Sequence, residues 1–127
     1  MERIIILADK TIVIKLGDIG IYDLGIDSST GKSFIAKLLK AEETVKVLEF
    51  SNEDNIINEL EEFEKSNKSI LFFDRFDLTK TNKIINKIKS INNKYIILDF
   101  KDCLVSNDLI TKHATLIKTK EGFILNG

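Results

Sequence analysis

Leu24-Gly25-Ile26-Asp27-Ser28-Ser29-Thr30-Gly31-Lys32-Ser33 joins two segments of different periodicity. Before it, residues 19–24 read as a short strand; after it, Phe34, Ile35, Leu38 and Leu39 fall on one face at helical spacing. A turn held between a strand end and a helix start can gather backbone N–H groups at the positive end of the helix, which is what a phosphate cradle requires. Gly31 permits close backbone approach, Lys32 can reach the outer phosphates of a nucleotide, and the Ser33 hydroxyl can bind Mg²⁺. Asp27, Ser28, Ser29, Thr30, Gly31, Lys32 and Ser33 are the expected cradle. The plain alternative is a chance Gly-Lys-Ser at the start of a helix.

Upstream of this stretch, residues 3–8 and 11–16 read as strands, the second with period-two Ile12, Ile14 and Leu16; Asp9-Lys10 and Gly17-Asp18 punctuate them. Downstream, strand and helix alternate. Residues 45–50 read as a strand, and Ser51 or Asn52 can cap a helix over 53–65 with Ile56, Ile57, Leu60 and Phe63 in one stripe. Residues 69–73 are a continuous apolar run, as in a strand covered on both faces. Thr79 or Thr81 opens a lysine-rich helix with Ile84, Ile85, Ile88 and Ile91 facing inward, and residues 95–98 make a second buried strand. A short helix over 107–113, capped by Ser106, then leads to a hairpin of 115–118 and 123–125 around Lys120-Glu121-Gly122. Strands joined by helix-sized connections call for a parallel sheet, with the front and back hairpins adding antiparallel edges.

Acids end both buried strands. Asp74 follows Ile70-Leu71-Phe72-Phe73 at the place where a carboxylate can hold Mg²⁺ opposite the loop serine, or can simply cap the turn. Asp99 follows Tyr95-Ile96-Ile97-Leu98 and can stand beside a terminal phosphate, or be an ordinary loop aspartate. Asp77 lies three residues past Asp74; with Asp74 and Asp99 it completes the expected catalytic set, and Ser33 with Asp74 the expected metal pair.

The 127 residues are 43% hydrophobic and 31% charged, which suits one domain spanning 1–127. Nineteen basic and twenty acidic residues leave a net charge of -1, so no global positive field exists to collect nucleic acid or anionic membrane. No apolar run approaches the roughly 20 residues of a membrane helix, and the N-terminal run meets Asp9 and Lys10 too early for a signal-peptide core, so a cytoplasmic location is expected. Cys103 and His113 stand alone as cysteine and histidine, which excludes an internal disulfide framework and the usual zinc cages.

With the loop and Asp74 in view, the chain resembles the P-loop NTPases, and more narrowly the ABC-type and related AAA-like ATP-binding domains. Residues 24–33 are similar to a Walker A motif and residues 70–74 to a Walker B strand. Gly17-Asp18-Ile19 is similar to the turn before the loop strand of ABC domains, and 114–118 with 122–127 to their C-terminal hairpin. The resemblance implies a three-layer α/β fold with ATP and Mg²⁺ as ligands; a protein partner or a second copy is left open, and the departures below do not support ABC-style catalysis shared between two copies. The departures are specific. Counting back from Gly31 puts Ile26 at the first glycine position, so either the loop carries an extra residue after Gly25 or Ile26 replaces the glycine. Arg75 stands where many such ATPases have a water-activating glutamate. The chain contains no glutamine for a Q-loop, lacks room for the helical signature subdomain between Lys32 and Asp74, and has no Asn-Lys-x-Asp motif for guanine.

The reading that follows is a small cytoplasmic ATP-binding P-loop protein, Mg²⁺-dependent, with weak or partner-dependent hydrolysis. The alternative is a non-catalytic interaction module on the same fold, favoured by Ile26 and Arg75. A nucleic-acid accessory role would use the basic helix face of Lys80, Lys83, Lys87 and Lys89; no aromatic residues interleave with those lysines, and a solvated helix face explains them equally well.

Overall fold

The computed structural model describes residues 1–7, 9–24, 32–49, 51–76, 82–100, 109 and 111–127, with Lys32, Ser33 and Phe100 described in backbone only. Five parallel strands form the central sheet: β3 (Gly20–Asp23), β4 (Val45–Leu48), β5 (Ile70–Phe76), β6 (Tyr95–Phe100) and β7 (Lys112–His113), in the order β4-β5-β6-β3-β7. Near-continuous apolar β5 and β6 belong inside such a sheet, because both of their faces are covered. Ile70, Phe72 and Ile97 face one side, and Leu71, Phe73, Ile96 and Leu98 the other, in the period-two alternation of a strand.

Helices divide between the faces. On the first side lies α1 (Lys32–Leu39), which buries Ile35, Ala36 and Leu39; on the second lie α2 (Glu53–Lys65) and α3 (Asn82–Ser90). The bounds of α2 follow from local chemistry. Asn52 Oδ1 accepts the Asn55 N–H at 2.8 Å, Glu53 and Asp54 complement the helix dipole, and the Ser66 N–H returns to the Phe63 carbonyl. Helix α3 presents lysines to the acids of α2: Lys87 Nζ meets Glu64 Oε1 at 2.8 Å and Lys83 meets Glu53 at 3.7 Å. Its basic face is thus partly neutralised within the fold. Lys94, only 8% exposed, donates to the carbonyls of Ser66 and Lys68 above the Phe63 ring, so a buried cation is satisfied by backbone oxygens.

The hairpins differ from expectation. Strands β1 (Glu2–Leu7), β2 (Lys10–Lys15), β8 (Thr115–Lys118) and β9 (Gly122–Asn126) are not edges of the central sheet; they form a second sheet, ordered β1-β2-β9-β8, joined by a parallel β2–β9 pair. One face of this sheet packs Ile5, Ile12, Ile14, Leu116, Phe123 and Leu125 into the same core as α1. The other carries Ile4, Val13, Ile124 and Ile117 in one cross-strand row, with Ile4 62% and Ile117 48% exposed. Asp9 makes the β1–β2 turn with φ 66°, a left-handed conformation that aspartate tolerates. The mixed second sheet with α1, the parallel sheet, and α2 with α3 make three layers, an α/β architecture. Among the described residues no helix is long and apolar enough to cross a membrane.

The seam between β2 and β9 depends on Gly122. A Cβ there would lie 2.1 Å from the Thr11 carbonyl oxygen and 2.8 Å from its nitrogen, which are backbone atoms fixed by the ladder. Gly122→Ala is therefore expected to cost about 1–3 kcal/mol, the usual range for overpacking, read as a lowered urea midpoint. An unchanged midpoint would contradict the close pairing of these strands.

Three local expectations need correction. The helix expected over 107–113 is not found at its described residues: Leu109 and Thr111 are not helical, and Lys112–His113 is a strand paired with Tyr22 and Asp23. Ile91 is buried but lies beyond the end of α3. Phe34 was expected on the buried stripe of α1 and is instead 48% exposed.

Candidate functional site

In a parallel sheet every strand ends at one edge, and here that edge carries Asp23 at the end of β3 and Leu24 after it, Asp74 in β5, Asp99 in β6 and His113 in β7. From β3 the chain passes through α1 to β4 at the far edge, whereas from β6 it passes the opposite way, to β7 beyond β3. Ligands of open α/β sheets bind outside the carboxyl ends of the strands, the edge that Asp74, Asp99 and the exit of β3 share. The Leu24 N–H donates to the Leu98 carbonyl at 3.0 Å, fixing the exit of β3 beside Asp99. Lys32 begins the crossover helix, so it too lies at this edge.

Asp74 and Asp99 meet because Phe73 pairs with Leu98, placing the next residue of β5 beside the next of β6. Both are 4% exposed. Alternation from Phe72 and Ile97 directs them to the side of the sheet that α1 covers. Burial, a hydrogen bond with Asp99, repulsion from Asp99 and repulsion from Glu49 push the Asp74 carboxyl up to about 6, against the pull of Arg75. Asp74 Oδ1 is buried with no hydrogen-bond partner among the described residues. An acid held in this state has unfilled capacity for a cation or a proton donor.

Immediately beyond, the ladder shifts between Phe73 and Phe76, and Arg75 takes φ 56°. A left-handed arginine costs about 1–2 kcal/mol. The bulge keeps Phe73 and Phe76 on the same face, ring centroids 4.9 Å apart and edge to face, and turns Arg75 outward to solvent. The expectation that Asp74 and Asp99 end their strands shifts slightly, since each lies within its strand near the carboxyl end. Asp27, Ser28, Ser29, Thr30, Gly31, Asp77 and Cys103 lie outside the described residues, as do the side chains of Lys32 and Ser33.

Sequence reasoning did not single out Asp23. Its Oδ2 accepts from the Thr111 hydroxyl at 2.6 Å, its Oδ1 lies 3.1 Å from His113 Nδ1, and its carbonyl accepts from the Ala114 N–H. These bonds tie the short β7 to β3; a lone Asp in an apolar strand was the available signal. Among the described residues no group of three or more His, Cys, Asp or Glu side chains could hold a metal by itself. Compared with known proteins, the chain matches no family model, no curated protein and no solved structure.

Proposed function

We propose that this chain is a small cytoplasmic ATP-binding domain of the P-loop type, Mg²⁺-dependent, with weak or partner-dependent hydrolysis. The observation that carries the reading is the buried Asp74–Asp99 pair between β5 and β6 at the carboxyl edge of the sheet, beside the exit of β3 at Leu24 and at the edge where α1 begins at Lys32. In this reading residues 27–33 cradle the phosphates, and Ser33 and Asp74 hold the ion. The unpartnered Asp74 oxygen fits a cation that arrives with the nucleotide, most of its ligands being phosphate oxygens and water. When bound, Mg²⁺ neutralises charge on the β- and γ-phosphates. Lys32 adds a second positive charge there, while Asp99 and Asp77 remain to orient water.

Phosphoryl transfer needs the attacking water aligned as well as the phosphates held. Arg75 occupies the position expected for the aligning acid and points to solvent, so the isolated protein is expected to turn ATP over well below the ~10 per second typical of enzymes. Calorimetric titration with a non-hydrolysable ATP analogue, with and without Mg²⁺, should show Mg²⁺-strengthened binding alongside slow phosphate release. Absence of binding in both conditions overturns the proposal. It would favour the second reading, a non-catalytic interaction module, for which the Ile4-Val13-Ile124-Ile117 row of the outer sheet, exposed at Ile4 and Ile117 and half-buried between them, is the supporting observation.

A further inference from the structure

Phe34 is the third residue of α1 and leaves half of its ring in solvent, although Ile35 and Ala36 beside it are fully covered. Its centroid lies 5.9 Å from that of Phe123, with the planes tilted by 49°. The two rings, with Lys10, Lys118, Thr119 and Gly122, line an open cleft of about 310 Å³ between the start of α1 and the β8–β9 turn. Its far wall is fixed: the Gly122 N–H donates to Thr119 Oγ1 at 3.0 Å, the Thr119 N–H to the Gly122 carbonyl at 2.8 Å, and the Thr11 N–H to the Glu121 carbonyl at 2.8 Å.

Three properties narrow the occupant. An exposed aromatic face offers stacking to a flat π-system. Among the described residues the charged side chains lining the cleft are Lys10 and Lys118, whose positive charge suits a ligand that carries phosphates beyond the cleft. The cleft also opens two residues from Lys32, on the helix whose N-terminus is assigned above to phosphate.

We infer that this cleft seats the base of the bound nucleotide, stacked on Phe34, and that it holds the base by its face. The inference rests on the nucleotide reading above and deepens it. Among the described residues no carboxylate lines the cleft to accept the N1–H and N2–H of guanine, and what Phe34 offers is a ring face. Stacking tolerates any base, because every base has a π-face. The site therefore takes purine nucleoside triphosphates generally, with ATP and GTP bound within a few-fold of each other.

The test compares ATP, GTP and inorganic tripolyphosphate on wild type, Phe34→Ala, Phe34→Tyr and Lys32→Ala, by calorimetry with Mg²⁺. Phe34→Ala is expected to weaken ATP and GTP by about tenfold or more, consistent with the loss of one base stack. It should leave tripolyphosphate unchanged, and Phe34→Tyr should restore the nucleotides. Because Phe34 is half exposed and alanine favours helix, the variant keeps the fold. The inference is overturned if Phe34→Ala leaves ATP unchanged, weakens ATP and tripolyphosphate alike, or if wild type separates ATP from GTP by about 100-fold. A failure of the phosphate assignment looks different: wild type binds neither ATP nor tripolyphosphate, or both survive Lys32→Ala.

Discussion

Asp74→Asn is expected to make the ligand-free protein more stable at neutral pH while removing the Mg²⁺-dependent affinity for nucleotide proposed above. The carboxyl is pushed up to about 6 from its ordinary 3.8, chiefly by burial and then by Asp99. Between about pH 4 and 6 the folded state keeps a proton that the unfolded chain has released. Stability contributed by this group is thus present at low pH and lost as pH rises through that window. Above it the folded protein carries a buried, partly unsatisfied anion beside a second carboxyl, at a cost on the order of 2 kcal/mol. Asparagine has the same shape without the charge, and its amide can donate to Asp99. At about pH 7.5 the variant should melt roughly 6–10 °C higher than wild type, and the two should converge near pH 4. A variant less stable than wild type at neutral pH, or a gap that ignores pH, would show that the Asp74 charge is compensated within the fold. A site held at the expense of stability is the usual signature of function.

Elements whose causes are local were legible in the sequence. Helix α2 was expected over 53–65 and is found there, because a capping Asn52, an acidic first turn and an apolar stripe all act within a few residues. The apolar runs of β5 and β6 announced strands covered on both faces in the same way. Pairing between distant segments was not legible. The β2–β9 ladder joins Thr11 to Gly122, and nothing in either strand's own pattern says that the two hairpins share a sheet of their own. For the same reason Asp74 and Asp99 were each identified as strand-end acids, but their mutual contact follows only from the Phe73–Leu98 register. Lys112 and His113 gave no strand signal because two polar residues have no period; they are held to β3 by the Ala114 N–H and by the Asp23 side chain. Phe34 misled the helical reading because apolarity at helical spacing does not by itself say which side chains of the stripe the fold covers.

Lys32→Ala is expected to abolish nucleotide-induced thermal stabilisation. A ligand that binds only the folded state adds RT ln(1 + [L]/Kd), which is about 2.7 kcal/mol at ~100 times the dissociation constant. For a chain of this length that corresponds to a rise in Tm of roughly 8–13 °C in wild type with Mg²⁺ and the non-hydrolysable ATP analogue. Helix α1 begins at Lys32, so its side chain starts from the end of the helix where backbone N–H groups and the positive dipole already favour an anion. Removing the ammonium leaves the backbone donors but takes away the only full positive charge between residues 24 and 33. The melting temperature without ligand should barely move, because alanine is at least as good a helix former as lysine. Chelating the Mg²⁺ should shrink the wild-type shift and leave the variant where it is. Equal shifts in wild type and variant would place the nucleotide away from the loop, and the Asp74–Asp99 pair would then need another occupant.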